Sequence, residues 1–600
     1  MKDESPLHIY EKEKKKHEDE LGTLRKKQSL LGWLRLGIII LATVTAFYLF
    51  TFSLLLGWVS VIIGIALFLA VVSVDIDNNK KINHLKLLVK INEEEIDSLN
   101  NNFSNKYEGL EFLQPLHDYA YDLDIFGKSS LYQLVNRGNT EQGRRLLANN
   151  FLTPLPVEAI LERHEAIKEL APQIGWRQQL QAYSLKSPVT TPTQKRTEQW
   201  LGEDEKHFTG DYWKIIVWIY SFITVATAIA AALGYLSSGI FLLLFVLYFF
   251  ISGSLSKKAI PSHHYLDSIV KEIDIISQLI YWVEEKKFSA SLLNRLQNSV
   301  QIENQKAHIQ IKELKGILNR FDLRERSPII FIFINSFLFW DVRQMMSLNK
   351  WKRKNKLKLS FWYTLIAEFE VLNSLSTLHF NYPEWTIPAF SKEHFALEAK
   401  NLGHPLIQND QRVSSDFSLE GRGKVALITG SNMAGKSTFL RSLGVNIILA
   451  QMGSPVCASM FCLSPNNLMS SMRIADNLSE NTSTFYAELK KLKTIIEAVN
   501  RNKPVFILLD EILRGTNSLD KHTGSEALIR QLIKQNAVAV LATHDVELAK
   551  LENEFPASID NYHFDVQVEG EELYFDYKLK HGVCTSLNAS ILMKKIGIEI

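Results

Sequence analysis

Two long stretches without any charged side chain limit how this chain can fold more than any other feature of its sequence. The first runs from Leu36 to Val74 and the second from Ile215 to Ser256. A helix needs about 20 apolar residues to cross the core of a bilayer, so each stretch is long enough for two spans. We therefore predict two transmembrane hairpins, at 36–74 and 215–256, with turns near Leu56–Trp58 and Gly234–Gly239.

Basic residues at the ends of both hairpins predict their orientation. They are Arg25, Lys26, Lys27 and Arg35 before the first hairpin, Lys80, Lys81 and Lys86 after it, Lys214 before the second, and Lys257 and Lys258 after it. Positive side chains are retained on the cytoplasmic side of a membrane. We therefore expect a multi-pass protein of the cell (inner) membrane whose other segments, including the C-terminal domain, are cytoplasmic.

The rest of the composition is that of an ordinary folded protein in a reducing compartment. Hydrophobic residues make up 46% of the chain and charged residues 22%, and the formal net charge is +2. A nearly neutral chain has no general attraction to nucleic acid, so DNA affinity would need a local patch. The three cysteines, Cys457, Cys462 and Cys584, form no disulfide framework.

The most specific motif is the glycine-rich loop GSNMAGKST, which fits the pattern G-x-x-x-x-G-K-[ST]. An apolar strand, 425–429, leads into it, and a helix from about residue 438 to 452 leads out. Backbone N–H groups of such a loop and of the helix N-terminus bind phosphate, Lys436 neutralises the β- and γ-phosphates, and the Ser437 hydroxyl ligates Mg²⁺. The predicted nucleotide-binding residues are Gly430, Ser431, Asn432, Met433, Ala434, Gly435, Lys436, Ser437 and Thr438.

Two further apolar strands end in residues suited to ATP hydrolysis. Val505–Leu509 runs into Asp510 and Glu511, and Ala539–Thr543 runs into His544. We predict that Asp510 holds the Mg²⁺, that Glu511 orients or deprotonates the attacking water, and that His544 senses the γ-phosphate. The alternatives are two surface acids at a strand end and a structural histidine. Lys436, Glu511 and His544 are thus the predicted catalytic residues of an ATPase that uses ATP and Mg²⁺.

These strands alternate with helical segments after a break at Pro383 and Pro388, a pattern typical of a mostly parallel sheet. The predicted fold is therefore an α/β P-loop NTPase domain preceded by an all-α domain and four transmembrane helices. The predicted segments are a charged cytoplasmic helix at 1–35, the first hairpin at 36–74, a helical domain at 75–214, the second hairpin at 215–256, a second helical part at 257–388, and the ATPase domain at 389–600.

Residues 424–600 resemble the ATPase domain of MutS, the DNA mismatch-repair protein family. The matching segments are the glycine-rich loop, Gln451–Ala458, Arg473 with Asp476, Ser483–Phe485 with Glu488, Asp510–Asn517, and Tyr577–Leu579. Segments within 123–163 and at 368–375 resemble the helical core and lever regions of the family. This resemblance implies a homodimer in which Ser483 reaches the nucleotide of the partner, and it implies that His404 lies near the nucleotide base.

The sequence also departs from the family in ways that bear on DNA binding. The mismatch-reading domain of the family has no counterpart in residues 1–100, and the second hairpin stands where the DNA-clamping lever arms would begin. The basic run at 351–356 suits contact with DNA or with anionic lipid, and it is also typical of a solvated helix face. The expected partners are therefore the bilayer, ATP and a second subunit. DNA, mismatched or damaged, is a further candidate partner.

Two other functions remain open at this stage. A transporter of the ATP-binding-cassette type also combines membrane spans, a P-loop, an acid pair and a switch histidine. Its L-S-G-G-Q signature is replaced here by residues 478–482, Leu-Ser-Glu-Asn-Thr. The other alternative is a membrane-tethered ATPase that acts on a ligand other than DNA.

Overall fold

The structure, a computed structural model, describes residues 4–186, 189–203, 207–257, 270–299, 306–356, 359–392, 395–431, 434–473, 484–501, 503–569 and 572–584. The chain divides into two compact units. Unit 1 contains Met1–Arg137, Leu147–Gln178 and Leu372–Ile600, and unit 2 contains Gly138–Leu146 and Gln179–Val371.

Unit 1 begins with two long helices that pack against each other as a hairpin. Helix α1 spans Pro6–Phe50 and α2 spans Leu54–Leu99, so the charged segment at 1–35 and the first apolar stretch share one continuous helix. The Ser5 side chain accepts a hydrogen bond from the His8 N–H, and Pro6 occupies the first helical turn, both typical of a helix start.

The turn of this hairpin lies at residues 51–53, so the turn predicted near Leu56–Trp58 was wrong. Gly57 is helical, and a Cβ added to it would lie 2.3 Å from the Phe50 ring. A Cβ on Gly64 would likewise lie 2.6 Å from the Ala42 Cβ. The two glycines thus allow α1 and α2 to pack closely and do not form the turn. Small residues often allow such close packing between apolar helices.

A buried ionic network joins this hairpin to the rest of unit 1. Glu95, near the end of α2 and 2% exposed, receives two hydrogen bonds from the Arg137 guanidinium, at 2.7 and 2.8 Å. Asn381 donates to the same carboxylate at 2.8 Å and accepts from the Tyr10 hydroxyl at 2.8 Å. Burial alone would raise the pKa of Glu95, but the charges of Arg137 and Lys106 bring it down to about 2.

The remainder of unit 1 is an α/β structure built on two sheets. Its other helices are α3 (Leu131–Val135), α5 (Val157–Leu170), α17 (Lys436–Gln451), α18 (Thr484–Asn500), α19 (Ser518–Lys534), and the 3₁₀ segments Leu110–Phe112 and Val546–Asn553. The smaller sheet has the order β1-β5-β2-β3, with β1 Ala389–Phe390, β2 Leu397–Leu402, β3 Ser415–Leu419 and β5 Met460–Leu463. This second sheet was not predicted from the sequence.

The larger sheet is the predicted mostly parallel one. Its order is β10-β9-β4-β8-β7-β6, with β4 Val425–Thr429, β6 Asn467–Ser471, β7 Val505–Asp510, β8 Val538–Thr543, β9 Ile559–Glu569 and β10 Glu572–His581. All of its neighbouring strands are parallel except β9 and β10. Every residue of β4, β7 and β8 is buried, as expected for strands covered by helices on both faces.

Unit 2 is helical. Its helices are α7 (Thr191–Gly202), α8 (Tyr212–Ala232), α9 (Ser238–Ser256), α10 (Val270–Glu284), α11 (Ser291–Ser299), α12 (Ala307–Phe321), α13 (Leu323–Arg326), α14 (Pro328–Leu338) and α15 (Trp340–Asn355). Helices α4 (Glu141–Leu152), α6 (Ile174–Leu185) and α16 (Leu359–Asn381) each contain residues of both units. The turn predicted near Gly234–Gly239 is confirmed, because α8 ends at Ala232 and α9 begins at Ser238.

Among the described residues, α1, α2, α8 and α9 are long and apolar enough to cross a membrane. Helices α14 and α15 pass the same test together, although a bend of 78° at Phe339 separates them. From the sequence, this segment was predicted to belong to a helical domain, and its apolar part was not singled out. That part, α14, has only 11 residues, which is too short for a full membrane span.

The Glu95 network yields the first prediction. Replacing Glu95 with Gln leaves the Arg137 charge buried without its partner, so we expect a loss of about 3–5 kcal/mol in stability. The thermal unfolding midpoint of the purified protein should fall markedly. The matched control is Glu93→Gln on the same helix, which removes an exposed pair with Lys14 and should change stability by less than about 1 kcal/mol. Equal midpoints for the two variants would contradict a stabilising role of the buried pair.

Candidate nucleotide-binding and hydrolysis site

A cavity of about 790 Å³ lies in unit 1 where β4 and β7 end. Carboxyl ends of parallel strands meet at one edge of a sheet, and ligands of such folds bind there. Most of the residues predicted from the sequence line this cavity: His404, Ser431, Gly435, Lys436, Ser437, Thr438, Asp510 and Glu511. Gly430 and Ala434 belong to the same loop without lining the cavity.

The glycine-rich loop takes its shape from two positions where the backbone has positive φ. Gly430, directly after β4, has φ +150°, and a Cβ added to it would lie 3.0 Å from the Phe564 carbonyl oxygen of β9. Gly435 has φ +104° and stands immediately before α17, a conformation that L side chains rarely adopt. The loop therefore delivers the N-terminus of a long, buried helix to the cavity, which is an anion-binding arrangement.

Lys436 is the cation of this loop. Its side chain is buried, and its Nζ donates to the carbonyl oxygens of Gly430 at 2.7 Å and Ser431 at 2.8 Å. Burial lowers the pKa of Lys436, while the nearby charges of Glu511 and Asp510 oppose this effect. The ammonium group is thus held at the floor of the loop, where a bound triphosphate would place its negative charge.

Asp510 and Ser437 together fit a magnesium site. The Asp510 side chain is buried, and its Oδ1 has no hydrogen-bond partner among the described residues. Burial raises the pKa of Asp510, and a hydrogen bond with the Ser437 hydroxyl and the charge of Arg514 act in the opposite direction. A buried, unsatisfied carboxylate oxygen beside a hydroxyl suits Mg²⁺, which prefers oxygen ligands. When bound, the ion would neutralise phosphate charge.

Glu511 lines the cavity, whereas His544 lies beside Glu511 without lining it, and its predicted sensing of the γ-phosphate stays a prediction. The Nδ1 atom of His544 lies 3.7 Å from Oε1 of Glu511, and its Nε2 lies 3.4 Å from Nζ of Lys521. Glu511 has φ +49°, and its N–H donates to the Ala542 carbonyl of β8 at 2.9 Å. The chain therefore turns sharply after β7, and this turn directs Glu511 to the cavity while β8 brings His544 beside it.

His404 forms part of the cavity wall, and its contact with a nucleotide base stays a prediction. Its Nδ1 accepts a hydrogen bond from the Leu406 N–H at 3.3 Å. Burial, together with the charge of the neighbouring Arg441, lowers the pKa of His404 to about 4. The imidazole is therefore neutral at pH 7 and suited to packing against an uncharged base.

Three arginines and a tyrosine were not predicted as site residues, yet they line the same cavity: Arg441, Arg473, Arg514 and Tyr577. Arg514 donates to the backbone carbonyls of Glu511 and Asp510, each at 2.9 Å, so it folds back over the acidic turn. Arg514 could have been found from the sequence, because it lies only three residues after Glu511. Arg441 lies one helical turn beyond Thr438 on α17, but only the fold shows that its side chain points into the cavity.

Two acids from the helical part of unit 1 hold these arginines in place. Asp124 pairs with Arg441 at 3.2 Å and also with Arg473. Asp122, which is fully buried, accepts from the Arg473 N–H at 3.1 Å and from Lys491 Nζ at 2.6 Å. The segment around Asp122 thus connects the helical core to the cavity wall, and it lies within the region that resembles the MutS core.

The beginning of α18 supports the turn that carries the acids. The Glu488 carboxylate accepts hydrogen bonds from the backbone N–H groups of Leu513 and Arg514, the second at 3.2 Å. A Cβ on Gly515 would lie 2.6 Å from the Phe485 Cβ, so the glycine leaves room for that ring. The spacing of Phe485 and Glu488 is therefore explained by contacts with the turn after Asp510 and Glu511.

Three predicted site residues, Asn432, Met433 and Ser483, lie outside the described residues. The proposed contact of Ser483 with a partner's nucleotide stays a prediction. The described part of α18 begins one residue later, at Thr484, next to the acidic turn.

The fold and the site define a P-loop ATPase domain with a mostly parallel sheet. The sequence model of the family MutS domain V matches residues 426–594. Residues 426–594 therefore match the ATPase domain of the MutS family, and the resemblance predicted from the sequence is confirmed for this part of the chain.

Curated relatives match the same end of the chain. The DNA mismatch repair protein MutS of Thermotoga sp. (strain RQ2) is 33% identical over 240 residues, 39% of this chain and 28% of the relative. The protein of the same name from Thermotoga maritima is 33% identical over 241 residues, with the same coverage. The mitochondrial DNA mismatch repair protein mutS homolog of Sarcophyton glaucum is 35% identical over 228 residues, 36% of this chain and 22% of the relative. The chain thus spans less than a third of the length of these relatives.

The contact between Glu488 and the acidic turn gives the second prediction. Glu488→Gln replaces one acceptor oxygen by a donor, so one backbone N–H of the turn loses its charged partner. A hydrogen bond to a charged group contributes about 1.5–3 kcal/mol, and we expect ATP turnover to fall roughly tenfold or more. Glu497→Gln, on the exposed side of the same helix, should leave turnover unchanged. Equal rates for both variants and the wild type would show that Glu488 does not position the turn.

Proposed function

We propose that this protein is a membrane-anchored MutS-family ATPase that binds and hydrolyses MgATP in a site completed by a second subunit. The observation that carries the proposal is the meeting of Lys436, Ser437, Asp510 and Glu511 at one cavity of unit 1. The match to MutS domain V supports the ATPase part of the proposal.

In the proposed reaction, the loop backbone, the N-terminus of α17 and Lys436 bind the phosphates. Ser437 and Asp510 would hold Mg²⁺, which supplies charge neutralisation. Glu511 would orient the attacking water and accept its proton, and His544, whose Nδ1 lies 3.7 Å from Oε1 of Glu511, would sense the γ-phosphate. Phosphoryl transfer needs mainly positioning and neutralisation of charge, and these residues supply both.

The proposed dimer rests on Ser483 and on the contacts that follow it. Ser483 directly precedes α18, whose Glu488 and Phe485 contact the turn after Asp510 and Glu511. A partner's nucleotide bound at Ser483 would therefore act on the same helix that supports the acids. This arrangement favours ATP-dependent closure of a homodimer.

Membrane anchoring is supported by four described helices of sufficient length and apolarity. Their large apolar side chains are widely exposed, for example Phe47 at 78% and Trp218 at 68%. An apolar surface of this extent is unfavourable in water and has to be covered, and the hydrocarbon core of a bilayer would cover it. The flanking basic residues place the ATPase domain on the cytoplasmic side in this proposal.

The relatives are named as DNA mismatch repair proteins, and this extends the proposal to DNA as a candidate ligand. Because the chain matches only the ATPase end of these proteins, DNA is weighed against other ligands by the rate of ATP hydrolysis. The rate of ATP hydrolysis is measured with mismatched duplex, with matched duplex and with liposomes. The ligand that changes this rate is the effector. The match to MutS domain V disfavours the cassette-transporter alternative.

The third prediction tests hydrolysis. Glu511→Gln should lower ATP turnover by about 100-fold or more, because the general base is lost, while ATP binding persists. Lys436→Ala should abolish both. Turnover is measured as phosphate release, and binding by a fluorescent ATP analogue; dimer closure is read from the mass of the Glu511→Gln protein with and without ATP. Glu547→Gln, an exposed acid away from the cavity, is the control. Undiminished turnover in Glu511→Gln would refute the assignment.

The fourth prediction tests topology in intact cells. Cysteines introduced at Thr51 and Tyr235, one in each hairpin turn, should react with a membrane-impermeant maleimide from outside. A cysteine at Ser299, on the predicted cytoplasmic side, should react only after permeabilisation, and the wild type measures the background of the natural cysteines. Protein released from membranes by alkaline carbonate, or outside labelling at position 299, would rule out the proposed arrangement.

A further inference from the structure

Unit 2 contains a second large cavity, of about 750 Å³, at the start of α8. Among the residues that the structure describes, five basic side chains and one acidic side chain line it: Lys214, Arg343, Lys350, Arg353, Lys354 and Asp211. The lining therefore has an excess of four positive charges. An excess of this size in a concave site predicts an anionic ligand.

Three basic residues of α15 share one face of that helix. Arg343, Lys350 and Lys354 are separated by seven and four residues, the spacing of one helical stripe. Lys352 points elsewhere, because it is buried, donates to the Glu203 carbonyl at 2.6 Å and lies 5.3 Å from the Trp200 ring. The basic run at 351–356 therefore does not form a uniformly solvated helix face. Lys352 packs inside the unit, whereas Lys354 lines the cavity.

Arg343 is fixed at the inner end of the cavity. Its guanidinium donates to the Leu338 carbonyl at 2.8 Å and to the Ser221 hydroxyl of α8 at 2.9 Å. The charge is therefore held two helical turns along α8 from Lys214. A ligand that reaches both must extend along α8, in the direction of its apolar part.

The cavity continues directly into that apolar surface. Trp218 belongs to its lining, is 68% exposed and stacks on Phe222, with ring centroids 6.1 Å apart. Ile215 and Ile219, on the same part of α8, are also at least half exposed. A ligand that satisfies both regions has an anionic group and an apolar chain, and tryptophan is enriched where those two regions of a bilayer meet.

Helix α14 and the bend after it explain how the basic face comes to lie there. Phe333 of α14 packs on Phe245 of α9, with ring centroids 5.4 Å apart, and the Tyr220 hydroxyl of α8 donates to the Ser336 carbonyl at 2.8 Å. The chain then bends by 78° at Phe339, which has φ +48°. An apolar helix docked on the hairpin is therefore followed by a basic helix running in a different direction.

We propose that this cavity binds the headgroup of an anionic phospholipid, with the acyl chains lying along Trp218 and Phe222. The inference rests on the proposed membrane embedding of α8 and α9. Duplex DNA shares the phosphate chemistry but carries no apolar chain to cover the adjoining surface. Basic cavities beside membrane helices on the cytoplasmic side are suited to anionic headgroups.

The test compares two triple variants of the full chain purified in detergent. The cavity variant is Arg343→Gln, Lys350→Gln and Lys354→Gln. The control variant, Lys26→Gln, Lys27→Gln and Lys80→Gln, removes the same number of charges beside the first hairpin. Phosphatidylglycerol and phosphatidylcholine are offered in mixed micelles, and retained lipid is counted by native mass spectrometry. Lys350→Glu, at an exposed position, is a further variant that is expected to fold normally.

The wild type and the control variant should retain phosphatidylglycerol in preference to phosphatidylcholine. Each basic side chain beside an anionic lipid contributes about fivefold in affinity, so the cavity variant should lose more than about tenfold of this preference. Lys350→Glu should also lose several-fold. Equal losses in the cavity and control variants would show diffuse charge attraction instead of a site and would overturn the proposal.

Competition distinguishes the source of the phosphate. Displacement of phosphatidylglycerol by soluble glycerol phosphate would indicate a site for a soluble anion, and displacement by a short DNA duplex would indicate a nucleic-acid site; either result overturns the proposal. Carbonate extraction is performed in parallel. Release from the membrane counts against the proposed function, whereas firm insertion without phosphatidylglycerol preference counts against the lipid site alone.

Discussion

The parallel pairing of β4, β8 and β7 is the constraint on which the nucleotide site depends. Parallel strands end at the same edge of a sheet, so the residues that follow β4, β7 and β8 are neighbours although these strands end at residues 429, 510 and 543. Each of these strands is buried throughout and gives way abruptly to polar residues. The cost of ending buried strands in charged groups is offset where those groups serve a ligand.

Ionic contacts and hydrogen bonds attach this site to the helical part of unit 1 at several points. Asp122 and Asp124 fix Arg473 and Arg441, and Glu488 fixes the turn behind Glu511. The Glu95 network then joins the same unit to both helices of the first hairpin. The nucleotide site and the first hairpin thus belong to one compact unit, with a buried charge pair at the hairpin end.

In unit 2, hydrogen bonds between polar groups join helices that are otherwise apolar. Tyr220 and Asn335 satisfy backbone and side-chain groups where α8 and α9 meet α14, which permits a short, broken helix beside the hairpin. The bend at Phe339 then separates apolar from basic surface within a few residues. Charge that looks contiguous in the sequence is thereby sorted by helix face, with Lys352 packed inside and Lys350 directed to the cavity.

The sequence by itself determined the loop at 430–438, the acids at 510 and 511, the histidine at 544 and the apolar hairpin segments, because each depends on a short run of neighbouring residues. The tertiary structure alone decided that Arg441 enters the site, that Glu95 pairs with Arg137, and that the first hairpin turns at residues 51–53 while Gly57 receives a phenylalanine ring. These outcomes depend on side chains that become neighbours only when distant segments pack, and no local pattern in the chain encodes them.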